Sequence, residues 1–125
     1  FFPAAGIGVC AIQIPEIAGG VCRGVNRYVA EYCSTDDTRL WPAANIPLAG
    51  RDVAVQEARF AVTELGAKAL FGLSGVHGPE RLYHPYWDPF FEAVAELGVP
   101  FCTHGGGGAV RGGLAAERFP GQYAP

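Results

Sequence analysis

His104 carries the sharpest chemistry in this chain. It closes the run Val99-Pro100-Phe101-Cys102-Thr103 and is followed by the four glycines Gly105, Gly106, Gly107 and Gly108. A neutral imidazole at the end of a strand can ligate a divalent ion or exchange a proton near neutrality. Side-chain-free glycines let other groups approach it closely. Taken alone, a histidine in such a place is more often a satisfied polar residue than a ligand.

The other two histidines, His77 and His84, share a loop with Tyr83, Tyr86 and Trp87. Solvated loop residues are the plain reading of both, and His84 is the better candidate for touching a substrate. Arg111 could pair with an anionic substrate, against the plain reading of a solvated arginine in a glycine-rich tail. Glu57, Glu64, Glu92 and Glu96 fall on expected helices, where a solvated face accounts for them. Asn26, beside Cys22 and Val29, reads as a buried structural amide. Cys10, Cys22, Cys33 and Cys102 form no Cys-x-x-Cys pair, so unpaired buried thiols are expected rather than a zinc ribbon or a disulfide framework. Gly105 to Gly108 lacks the endings of a P-loop or a dinucleotide turn, which argues against a phosphate cradle.

The elements that must position these groups alternate. Residues 1–14 read as a strand end running into a loop. Pro15 and Glu16 make a favourable first helical turn, because proline loses nothing there and a carboxylate suits the positive end of the dipole. Ile17, Val21, Val25, Tyr28 and Tyr32 recur at helical spacing. Gly19, Gly20 and Gly24 each weaken that helix by about 1 kcal/mol relative to alanine. Packing is expected to hold it, with the glycines marking close contact to a neighbour.

A strand is expected over 40–46. A helix capped by Asp52 follows, with Val55, Ala58, Val62 and Leu65 facing inward. The next strand covers 67–73, and residues 74–87 form a long loop of the kind that often carries function. Asp88 and Pro89 then cap and start a helix whose inward residues are Phe90, Val94 and Leu97. The strand to His104 completes the series. Glu64-Leu65-Gly66 and Glu96-Leu97-Gly98 each close a helix just before a strand, and the copies lie 32 residues apart. That distance is about one αβ unit. Regular alternation of this kind means an α/β fold with parallel strands and right-handed crossovers. A barrel and an open doubly wound sheet fit it equally, and in both the C-terminal ends of the strands gather ligands.

Composition narrows the class further. The chain has 125 residues, a net charge of −3 and 17% charged residues, with half of its residues hydrophobic. That supports one ordered domain and excludes the basic stripe of a nucleic-acid surface. No apolar run approaches the roughly 20 residues of a bilayer span. The start lacks the pattern of a signal peptide, and a cytoplasmic location is expected. The chain opens on Phe1 and contains no methionine, so a piece of a longer protein is expected.

Four segments, in order, resemble the amidohydrolase-related family, in its aminocarboxymuconate-semialdehyde decarboxylase-like branch. They are Asn26-Arg27-Tyr28-Val29-Ala30-Glu31-Tyr32-Cys33, Arg39-Leu40-Trp41-Pro42-Ala43-Ala44-Asn45-Ile46-Pro47-Leu48, Asp88-Pro89-Phe90-Phe91-Glu92-Ala93, and Leu97-Gly98-Val99-Pro100-Phe101-Cys102-Thr103-His104.

The resemblance implies a (β/α)₈ TIM barrel, here a partial one with about four parallel strands and three helices, from the middle of the barrel. It implies a metal-dependent hydrolase or non-oxidative decarboxylase acting on a small carboxylate- or carbonyl-bearing molecule. It implies a divalent metal ion, zinc first and manganese second, with His104 as its ligand; His84 and Arg111, read from their loop and tail, stay the candidate substrate contacts. The family's His-x-His pair and its last-strand aspartate have no counterpart here, so this stretch alone is expected to be inactive. A small-molecule substrate and a homo-oligomeric parent are expected, without nucleic acid or membrane. A nonenzymatic or degenerate α/β binding module is the alternative.

Overall fold

A computed structural model describes residues 1, 8, 12–73 and 79–104. Helix α1 (Pro15–Cys33) begins on its proline, as expected. It passes at Ser34 into a 3₁₀ turn. Strand β1 (Ala43–Asn45), helix α2 (Arg51–Thr63), strand β2 (Ala69–Leu73), helix α3 (Asp88–Leu97) and strand β3 (Phe101–His104) follow. The three described strands are parallel in the order β1-β2-β3. The fourth expected strand falls mainly on residues outside the described set. Of that segment Phe1 is described, and its carbonyl accepts the Ala43 N–H at 3.1 Å.

The repeated Glu-Leu-Gly does the same work twice. Gly66 and Gly98 have φ of +68° and +66°, the left-handed conformation that ends a helix and suits glycine. In both copies the strand begins three residues after the glycine.

Two helix starts differ from expectation by a residue or two. Gly50, not Asp52, precedes α2, and Asp52 pairs with Arg51 instead of capping. Trp87 precedes α3, so Asp88 is already its first residue. In both cases the carboxylate still lies in the first turn, where the dipole favours it.

One face of the sheet packs against α2 and α3. Ala44, Ile46, Leu48 and Leu70 meet Ala54, Ala58, Ala61, Trp87, Phe90 and Val94 in one apolar core. Val55, Val62 and Leu97 lie at its margin. The opposite face carries Phe71 and Leu73, a separate buried pair. Strand alternation puts Cys102 and His104 on that face too, because Phe71 is the partner of Cys102 and Leu73 of His104.

Helix α1 packs through a different row from the one its larger apolar residues form. Ala18, Cys22, Asn26, Val29 and Cys33 are buried. Ile17, Val21, Tyr28 and Tyr32 are exposed, Tyr28 at 66%. Small residues face inward because α2 comes very close. A Cβ built on Gly19 would stand 2.6 Å from Val53 Cγ2. Gly19 therefore marks close contact as expected, whereas Gly20 and Gly24 face open space.

Candidate active site at the C-terminal end of the sheet

His104 ends β3, exposed, on the face of the sheet away from α2 and α3. The Phe71 ring, from the neighbouring strand, has its centroid 6.3 Å from the imidazole. Such a position fits a ligand for a first-row divalent ion: an accessible imidazole at a strand end, backed by an aromatic wall. Among the described residues no group of three His, Cys, Asp or Glu side chains could hold an ion, so His104 is at most one member of a ligand set. Cys22, Cys33 and Cys102 are thiols, the first two buried and Cys102 half-buried.

His84 sits in the β2–α3 connection, about half exposed, and opens a 3₁₀ turn (Pro85–Trp87). Its Nδ1 accepts the Tyr86 N–H at 3.1 Å. Trp87 anchors the turn from below. It is buried, and its indole N–H donates to the Glu80 carbonyl at 2.9 Å. Tyr86 anchors the turn from the side, since its hydroxyl accepts the Arg51 backbone N–H at 3.0 Å. Arg51 opens α2, which leaves the C-terminal end of β1. The contact therefore holds the His84 turn at the same end of the sheet as His104. Asp52 accepts from Arg51 Nε at 2.8 Å and, chiefly through that hydrogen bond, holds the guanidinium above its ordinary range. His77, Arg111, Cys10 and Gly105 to Gly108 lie outside the described residues.

Glu57 corrects the solvated-face expectation. It is 1% exposed, and its Oε2 accepts from Arg23 Nε at 2.6 Å. Its Oε1 accepts from Asn26 Nδ2 at 2.8 Å. The sequence did hold a signal for this: Ala54, Ala58 and Ala61 share a helical face with Glu57, so the carboxylate stands inside an alanine stripe. Glu64, Glu92 and Glu96 are exposed as expected. Asn26 is the buried amide expected; its partner Glu57, and the Arg23 that pairs with Glu57, were missed. A cleft of about 620 Å³ between the N-terminal halves of α1 and α2 is lined by Arg23, Arg51, Asp52, Glu57 and Tyr86, among others. Its arginines are already paired with carboxylates from its own walls.

Parallel strands joined by helices, with an exposed histidine at a strand end, define a β/α protein whose candidate site is at the strand C-termini. The chain belongs to the amidohydrolase family, which it matches over residues 9–122. It is 38% identical over 104 residues to a gamma-resorcylate decarboxylase of Rhodococcus jostii (strain RHA1), covering 77% of this chain and 32% of the relative. Among solved structures, 2,6-dihydroxybenzoate decarboxylase from Rhizobium is 31% identical, with a TM-score of 0.69, covering 77% of this chain and 31% of that one. Dihydroxybenzoic acid decarboxylase from Polaromonas sp. JS666, solved with bound manganese and the inhibitor 2-nitroresorcinol, is 25% identical. Its TM-score is 0.76, over 93% of this chain and 36% of that one. The chain thus spans about a third of the length of these relatives. No helix among the described residues is long and apolar enough to cross a membrane.

Proposed function

We propose that these residues are the middle part of a (β/α)₈ barrel enzyme that removes carbon dioxide, without oxidation, from a small aromatic carboxylate of the dihydroxybenzoate class. The observation that carries this reading is the position of His104. It is an exposed imidazole at the C-terminal end of β3, on the face turned from α2 and α3, in a chain 38% identical to a gamma-resorcylate decarboxylase. The decarboxylase relatives favour the carboxy-lyase over the hydrolase.

A divalent cation bound at that end would fix the substrate's oxygens and draw electron density from its carboxylate. His104 would contribute one nitrogen to its coordination, with further ligands from outside the described residues. Manganese is the first choice, supported by the metal in the Polaromonas enzyme, and zinc the second. Phe71 and Leu73 give the same face an apolar wall suited to an aromatic ring. His84 and Arg111 are the proposed contacts for the substrate's anionic oxygens. The enzyme is read as a cytoplasmic homo-oligomer.

The test uses the full-length protein. Carbon dioxide release from 2,6-dihydroxybenzoate is followed with the protein metal-loaded, chelated and reconstituted. Turnover that vanishes on chelation, returns with manganese and is lost in His104→Ala is the expected result. Turnover indifferent to both chelation and His104→Ala sinks the reading.

A further inference from the structure

The His84 turn specifies more than proximity. An imidazole nitrogen that accepts a hydrogen bond carries no proton. The Tyr86 N–H on Nδ1 therefore places the proton of the neutral ring on Nε2. The backbone of His84 is engaged as well. Its N–H donates to the Arg81 carbonyl at 2.8 Å, and its carbonyl accepts the Trp87 N–H at 2.9 Å. Nε2 belongs to a side chain that is about half exposed. The Glu80 carboxylate is close to it, with Oε2 3.9 Å away, beyond hydrogen-bond reach.

The turn itself is held by a group from another element. The Arg51 N–H is one of the amides at the start of α2 that have no partner within their own helix, and the Tyr86 hydroxyl takes it. The Arg51 guanidinium lies 5.2 Å from the Tyr86 ring centroid and adds a second, weaker contact. Tyr86 thus uses its backbone N–H to set the tautomer of His84 and its hydroxyl to fix the turn against α2.

We propose that His84 is a fixed Nε2–H donor for an anionic oxygen of the substrate, carboxylate or phenolate, and that Tyr86 is the residue that positions it. This rests on the decarboxylase reading for the identity of the substrate. An acceptor such as Glu80 cannot select an anion, whereas an N–H donor can, because a charge-assisted hydrogen bond is stronger than a neutral one. The competing account is that His84 merely caps the turn, as aspartate or asparagine would. Two variants separate the accounts. His84→Asp keeps the capping acceptor and removes the donor. His84→Asn keeps the acceptor with a side chain too short to reach the place of Nε2 and adds no charge that would repel the anion.

The experiment uses the full-length protein labelled with ¹⁵N-histidine. The His84 resonances, assigned by their loss in His84→Asp, report the tautomer and are followed as 2,6-dihydroxybenzoate is added to chelated and to metal-loaded protein. Kinetics and melting temperature are measured alongside. We expect an Nε2–H tautomer, a substrate-dependent shift at Nε2, and a KM raised about tenfold in both His84→Asp and His84→Asn at an unchanged melting temperature, the loss of one hydrogen bond to a charged group. A KM raised in His84→Asp alone marks charge repulsion and overturns the donor role. Tyr86→Phe should raise KM several-fold and give mixed tautomer signals. An Nδ1–H tautomer overturns the proposal, as does a His84→Asp variant with wild-type KM and no substrate-dependent shift in the parent. A shift at Nε2 without any carbon dioxide release would leave His84 as an anion donor and remove the decarboxylase reading instead.

Discussion

The side chain of Asn26 grips the peptide of Asn45 from both sides. Its Oδ1 accepts the Asn45 N–H at 2.7 Å, and its Nδ2 donates to the Asn45 carbonyl at 2.9 Å. A helix side chain here does what a neighbouring strand would do, satisfying both polar groups of the last residue of β1. The same Nδ2 reaches Glu57, so one carboxamide ties α1 to both β1 and α2. Replacing it by the isosteric but apolar leucine leaves buried donors and acceptors without partners. Asn26→Leu should cost about 3 kcal/mol, at about 1–3 kcal/mol for each buried group left unsatisfied. Urea denaturation measures it, and a loss under about 0.5 kcal/mol would contradict the bonding described.

Arg23 and Arg59 offer a contrast between two ion pairs. Arg23 serves the buried Glu57 and stacks 3.6 Å over the Phe60 ring, with a third of its own side chain exposed. Arg59 pairs with Glu96 where both side chains are open to water. Arg23→Ala should destabilise by about 1–3 kcal/mol, below the full cost of breaking a buried pair because water reaches the guanidinium. Arg59→Ala should stay within about 0.5 kcal/mol. Equal losses in the two variants would show that burial of Glu57 is not what matters.

Gly19 and Gly20 are neighbours in sequence with opposite expectations. A methyl at Gly19 collides with the branched, stiff Val53 side chain at 2.6 Å. A methyl at Gly20 meets nothing within 4 Å. Gly19→Ala should lower stability by about 1–3 kcal/mol through overpacking. Gly20→Ala should raise it by up to about 1 kcal/mol through helix propensity. Thermal melts of the two variants moving in the same direction would refute the close α1–α2 contact.

The Phe71 ring centroid stands 6.3 Å from that of His104. On the proposed role of His104 as a metal ligand oriented by that ring, Phe71→Ala should weaken manganese binding by the full-length protein by about tenfold, in the range seen when groups supporting a ligand are removed. Calorimetric titration of the chelated protein with manganese measures this. Unaltered affinity would mean that the ring contact does not orient His104.

Much of this protein is written locally. Pro15 starts α1, and Gly66 and Gly98 stop α2 and close α3, because φ preferences and missing N–H groups act within a residue or two. The alternation of helix and strand, and His104 at the end of its strand, follow from short-range patterns of the same kind. The inward side of α3, with Phe90 and Val94, was legible as well, and what the chain alone left open was which side of α1 faces in and that Glu57 of α2 is buried. Ile17, Val21, Tyr28 and Tyr32 of α1 point outward, while Cys22, Asn26 and Val29 point inward. Helical period is a property of backbone geometry, but the buried face is chosen by the partner. Here that partner is α2, whose Val53 presses on Gly19 and leaves no room for a side chain there. Glu57 is buried for a reason no window of α2 contains: its carboxylate is matched by Arg23 and Asn26, more than thirty residues earlier. A charge can leave water only where hydrogen bonds replace it. The tautomer of His84 is set within its own turn, by Tyr86 two residues on. The placing of that turn beside α2 comes from Arg51, 35 residues before Tyr86, and was a matter for the tertiary structure.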